Sequence, residues 1–210
     1  MYSTKTATTN NSEFVSSYMP VGINENVILK EVNVKRTEQG NDFLEIIFEN
    51  SEGQTATMTE WKNTKNMWIK TDEELQRRDN QQFGRILQII DAATGNHTDF
   101  EGSSFVEMIN WVKVQLEPAT DPANIRQCMR LKVIYDKKGY TTVSKNGVFV
   151  EPMSVAKEES QIKLWKNDLL ERPVQADVEK PVDPLADQDM SDFSTPVTAD
   201  SNTGADDLPF

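Results

Sequence analysis

Apolar and polar residues alternate through the first third of the chain. "NVILKEVNVK" (26–35) predicts a strand, and "RTEQGN" (36–41) a turn in which Gly40-Asn41 supply positive-φ positions. "DFLEIIFEN" (42–50) predicts a second strand with Leu44, Ile46 and Phe48 inward. After the turn "SEG" (51–53), "QTATMTEW" (54–61) predicts a third, with Ala56 and Met58 on one side and Thr55, Thr57, Thr59 and Trp61 on the other. The period then changes from two to about three and a half. Residues 72–94 carry an apolar stripe (Phe83, Ile86, Leu87, Ile90, Ala93) behind a Thr71 or Asp72 cap, with Gly95-Asn96 as the stop. A second helix is expected over 103–116, closed by Pro118 and Pro122. Alternation returns in "QCMRLKVIYD" (127–136), "YTTVS" (140–144) and "VFVEP" (148–152). A short last helix is expected over 155–170.

The predicted class is mainly β: an OB-fold, a five-stranded Greek-key barrel, at 21–155 with a helical insertion at 62–122 after the third strand. Residues 1–20 are rich in Ser, Thr and Asn and read as a flexible arm, with Phe14, Tyr18 and Met19 as its possible anchors. From Glu171 on, apolar residues thin out and prolines recur. Such a segment cannot bury enough surface to offset its ordering entropy, so 171–210 is expected to be a disordered acidic tail.

Charge sharpens this division. The 210 residues carry a formal −12, and the last forty hold ten carboxylates against Arg172 and Lys180, a net −8. The remaining −4 leaves room for a local basic groove on the folded part. One cysteine and one histidine exclude an intrachain disulfide framework and a Cys/His zinc site, and fit a reducing, cytoplasmic compartment. No apolar run suits a membrane span or a signal core.

Catalysis has no support. His97 lies in a turn, no phosphate loop or nucleophile motif occurs, and neither a cofactor nor a catalytic residue is assigned. Nucleic-acid chemistry fares better. "EWKNTKNMWIK" (60–70) interleaves Trp61 and Trp68 with Lys62, Lys65 and Lys70, as a single-strand site needs stacking platforms beside phosphate-following cations. Each Trp could equally pack under the inserted helices. Arg77, Arg78 and Arg85 on the first helix fit either a binding face or a solvated one. Arg130 and Lys132 are expected on the solvent side of their strand. Lys35 and Arg36 open the loop between strands one and two, and Lys137 and Lys138 the loop between strands four and five. Those two loops flank the groove of an OB-fold.

Asp206-Asp207-Leu208-Pro209-Phe210 resembles the acidic tip of bacterial single-stranded DNA-binding proteins, Asp-Asp-Asp-Ile-Pro-Phe, with Leu208 for Ile and Ala205 for the first Asp. The body, with "VGINENVILKEV" and "GNDFLEIIFENSEGQTATMTEW", resembles phage-encoded proteins of this kind more than the bacterial ones. The resemblance implies a barrel that coats single-stranded DNA and a tip that recruits replication, recombination and repair proteins. Phe210 offers a ring, Pro209 limits conformational freedom, and the aspartates steer the tip to basic surfaces. The alternative is an acidic adaptor that docks replication proteins without holding DNA.

Overall fold

The computed structural model describes residues 16–173. The tail at 174–210, its tip Asp206–Phe210 and most of the expected arm at 1–20 lie outside the described residues. The arm's last residues are anchored: Tyr18 bridges Thr55, Met19 N–H donates to Thr55 O (3.0 Å), and Met19 is fully buried.

Six strands form one antiparallel, barrel-like sheet. β1 (Gly22–Arg36), β2 (Asp42–Glu49) and β3 (Thr55–Trp61) make the meander, and β4 (Met129–Tyr135), β5 (Thr141–Val143) and β6 (Val150–Pro152) follow the helices. The order is β3-β2-β1-β4-β5, with β6 also on β4. The sheet is nearly closed: β5 approaches β3 without a ladder, and Thr142 Oγ1 (3.2 Å to Thr57 O) and Lys145 Nζ (2.7 Å to Thr59 O) span the seam.

β1 is much longer than its apolar pattern suggested, because it serves both halves. Gly22–Val27 pairs with β4 and Ile28–Arg36 with β2. Its inward side chains are Asn24, Val27, Leu29 and Val32, so strict alternation breaks twice. Each break is a register shift, one between Asn24 and Val27 and one between Leu29 and Glu31. Asn26 sits at φ 56°, a left-handed conformation that asparagine tolerates better than most residues. Such bulges bend and twist a strand, which lets β1 turn the corner between its two partners.

The core is filled by Leu44, Ile46 and Phe48 from β2, Ala56 and Met58 from β3, and Met129, Leu131 and Val133 from β4. Helices α1 (Asp72–Thr94) and α2 (Phe105–Thr120) cover it with Ile86, Ile89, Ile90, Ile109, Val112 and Leu116. α1 begins with a Thr71–Glu74 capping box and ends at Gly95 with φ 85°, as the sequence indicated. α2 runs past its expected end. Pro118 lies in the last turn, where few intrahelical bonds remain to lose, and Asn124 Nδ2 donates to the Pro118 carbonyl (2.9 Å). Phe83, Phe100 and Trp111 lock the helices together, with ring centroids 5.0 to 5.7 Å apart.

The helix expected over 155–170 is not formed. Only a 3₁₀ turn, Lys157–Glu159, interrupts an irregular strap across the outside of β4. The strap's polar backbone is satisfied by β4 instead of by a helical ladder. Arg130 Nη1 donates to Val155 O (2.8 Å), Lys132 Nζ to Lys163 O (3.0 Å) and Tyr135 N–H to Leu169 O (2.8 Å).

Candidate nucleic-acid interface

The register of the meander sets the outer face. Lys35 pairs with Phe43, and Phe43 with Trp61, so the three side chains form one row across β1, β2 and β3. Phe43 and Trp61 stack with centroids 4.4 Å apart and planes 24° from parallel. Trp61 remains 46 % exposed, held from below and open above. A ring supported on one face and free on the other is what a base stacks upon. Lys62 follows it, exposed, and lines a cleft with Trp61, Gly40 and Asn41.

The other proposed contacts surround this row unevenly. Trp68 is 80 % exposed, at the end of a tight turn in which its N–H donates to Asn66 Oδ1 (2.8 Å). It packs under no helix. Lys65 pairs with Asp72 (2.6 Å), Lys35 with Glu45, and Arg36 with Asp42 (3.2 Å). Lys35, Arg36 and Lys65 thus already hold carboxylates, in pairs at the surface. Lys137 and Lys138 are exposed in the β4–β5 turn, which approaches β3 from the end opposite to Trp61. Their turn is fixed by Asp136, whose carboxylate accepts from the N–H groups of Lys138 (2.8 Å) and Tyr140 (2.9 Å).

The expectation that Arg130 and Lys132 face solvent is overturned. Lys132 is 0 % exposed and Arg130 nearly so. Their strand alternates as predicted, but the strap covers its outer side. Lys132 Nζ donates to Asp168 Oδ2 (3.0 Å), Asn146 O (2.9 Å) and Lys163 O (3.0 Å), so all three ammonium hydrogens are used. Arg130 donates to Glu151 (3.1 Å) as well as to Val155 O. Asp168 also accepts from Trp165 N–H (2.8 Å), Asn146 Nδ2 (3.0 Å) and Ser144 Oγ (3.3 Å). Burial pushes the Asp168 carboxyl up, but the hydrogen bonds from Trp165, Asn146 and Lys132, with the ammonium's charge, outweigh it and hold the group below the usual Asp range. These two cations are fasteners, not strand contacts.

Two exposed aromatics were missed by sequence reasoning. Tyr140 directly follows Lys137-Lys138-Gly139, a signal that could have been used. Trp165 lies in "KLWK" (163–166), the same Lys–Trp interleaving as 60–70, but the expected helix concealed it.

No known protein-family model matches the chain, and no curated protein is similar to it. Among the described residues no helix is long and apolar enough to cross a membrane.

Proposed function

We propose that the chain is a phage-type single-stranded DNA-binding protein, not an enzyme, that coats and protects single strands in the host cytoplasm during replication, recombination and repair. It binds without strong sequence preference. The strand order, with β5 beside β3 and the helices between β3 and β4, supports the finer reading of the fold as an OB-fold Greek-key barrel, in which β6 continues β5 along β4. The observation that carries the function is the Phe43–Trp61 stack, half open on the outer sheet face and flanked by Lys35, Arg36 and Lys62 at its end, with Lys137 and Lys138 at the far end. Trp68 and Lys65 extend the contact surface beyond β3. Arg130 and Lys132 take no part.

The tip Asp206–Phe210 is assigned to partner recruitment on sequence grounds. Deleting Phe210 should remove the capture of replication and recombination proteins and leave DNA binding nearly intact, because the ring carries roughly 1.5–3 kcal/mol of apolar burial while the acidic residues stay.

The adaptor reading is favoured by one observation: Lys35, Arg36 and Lys65 are matched with carboxylates, which lowers the free positive charge of the face. Tryptophan fluorescence during titration with oligo(dT), against a duplex of the same length, decides between the two. Saturable quenching by the single strand alone supports DNA binding. Signals that ignore both DNAs leave the adaptor.

A further inference from the structure

A second groove lies between α1 and the loop that separates β5 from β6. Its walls include Arg78 and Arg85 on one side, Lys145, Asn146 and Gly147 on the other, and Trp165 at the strap. The volume is about 780 Å³, room for one or two nucleotides rather than a duplex. Resting on the DNA-binding reading above, we propose that a single strand leaves the Phe43–Trp61 platform across the β3–β5 seam and enters this groove, where Trp165 stacks a base and Arg78 and Lys145 follow the phosphates.

Four observations carry this. First, the groove is contiguous with the proposed face through Lys145, whose ammonium bonds the carbonyl of Thr59, two residues before Trp61. Gln82 of α1 donates to Trp61 O itself (2.9 Å). Second, the charge is right. Arg85 and Lys145 share one carboxylate, the buried Glu60, at 3.3 and 3.1 Å. Arg78 forms no ion pair within 4 Å among the described residues, its charge acting only at longer range on the exposed side, on Glu74, so the three cations of the groove outnumber these carboxylates. Third, Trp165 is a built platform. It is 53 % exposed, yet its ring lies close over the Gly147 backbone, where an added Cβ would be 3.2 Å from Nε1. The backbone N–H of Trp165 is held by Asp168, which Lys132 holds in turn. Fourth, the loop is fixed from beneath. Lys132 bonds Phe149 O (2.8 Å) and Ser144 N–H (2.9 Å) through its backbone and Asn146 O through its side chain, so residues 145–148 project outward from a rigid base. A pre-formed cationic wall facing a fixed indole suits a flexible strand with π-faces, since little ordering is left for the protein to undergo on binding.

The test uses the full chain and two oligo(dT) lengths, about 6 and about 16 nucleotides, spanning the range covered by one such barrel. Anisotropy is measured for wild type, Trp61→Ala, Trp165→Ala, Trp165→Phe and Arg78→Ala, with a thermal melt for each. Trp165→Ala should weaken the long oligomer about tenfold and leave the short one unchanged, with Trp165→Phe recovering most of the loss. Arg78→Ala, an exposed change that does not threaten folding, should make the salt slope shallower by about 0.7 for the long oligomer alone. Trp61→Ala should weaken both lengths. Groove variants that bind the long oligomer as wild type does, while Trp61→Ala still weakens both, overturn the groove and spare the DNA-binding reading; the groove's cations then serve some other anion, such as an acidic peptide. A wild type that binds neither oligomer overturns both.

Discussion

The meander and the β4 side of the barrel read alike in sequence and differ in space. Both alternate apolar with polar residues, and both place lysines on the side away from the core. On β1 and β2, Lys35 stays in solvent beside Glu45. On β4, Lys132 is sealed beneath the strap with Asp168. The local pattern fixes which side of a strand faces the core. Whether the other side meets water depends on a segment 36 residues further along the chain, the separation between Lys132 and Asp168. An ammonium in the first setting is available to a phosphate, and in the second it is an internal fastener.

The contrast is broken most forcefully by Lys132→Met. Removing one partner of a buried, fully bonded pair costs about 3–5 kcal/mol, whereas Lys35→Met at an exposed pair costs at most about 1 kcal/mol. Urea midpoints of the two variants measure the difference, and equal midpoints would show that the strap does not seal β4. Next in size, Trp61→Ala should lose roughly 1–3 kcal/mol of single-strand affinity per stacked base, with a smaller loss of stability from the Phe43 contact, about 0.5–1.5 kcal/mol. Oligo(dT) titrations paired with melts separate the two, and a variant that melts early but binds normally would make Trp61 a packing residue. A smaller effect is expected of Lys137→Ala with Lys138→Ala: a salt-dependence slope shallower by about 1.4, at about 0.7 for each lost phosphate contact. An unchanged slope places the strand elsewhere.

The smallest change is in acid. Asp168 is held below its usual pKa, so the folded state binds fewer protons than the unfolded chain around and below pH 4. Its contribution is present above about pH 4 and disappears as pH falls through the lowered folded value. In Lys132→Met this acid loss should shrink, because the ammonium's hydrogen bond and charge are among the causes of the shift. Melting curves from pH 6 to pH 3 would show it, and parallel profiles for both proteins would remove Lys132 from the account.

Most of the fold was legible because its signals are local. The three meander strands, the Thr71 cap, the Gly95 stop and the inward sets Leu44–Ile46–Phe48 and Ala56–Met58 follow from period and turn chemistry within a few residues. The strap was illegible for the opposite reason. Val155, Ile162 and Leu169 recur at helical spacing, but only Ile162 is buried, and the carbonyls of Val155, Lys163 and Leu169 accept from β4. Tertiary partners outbid the local period there. The same event misplaced Arg130 and Lys132 and hid Trp165. Of the proposed face, the Trp61–Lys62 end could be read directly. Its support by Phe43 required the register, which sets these two opposite each other across β2 and β3.

The two bulges of β1 also keep phase. Asn24 and Val32 are eight residues apart and both point inward, while Val27 and Leu29 between them lie on odd positions. Each bulge shifts the strand by half a repeat, and the second undoes the first. Deleting Lys30, the residue without a partner on β2, would therefore leave Leu29, Glu31 and Val32 opposite Phe48, Ile47 and Ile46 with every side chain on its present side, but would remove the bulge and leave β1 straighter where it passes from β4 to β2. A deletion between the bulges, at Ile28, would instead turn one stretch of the strand over. In this strand, a length change is tolerated as regards pattern only at a bulge, and even there it costs curvature.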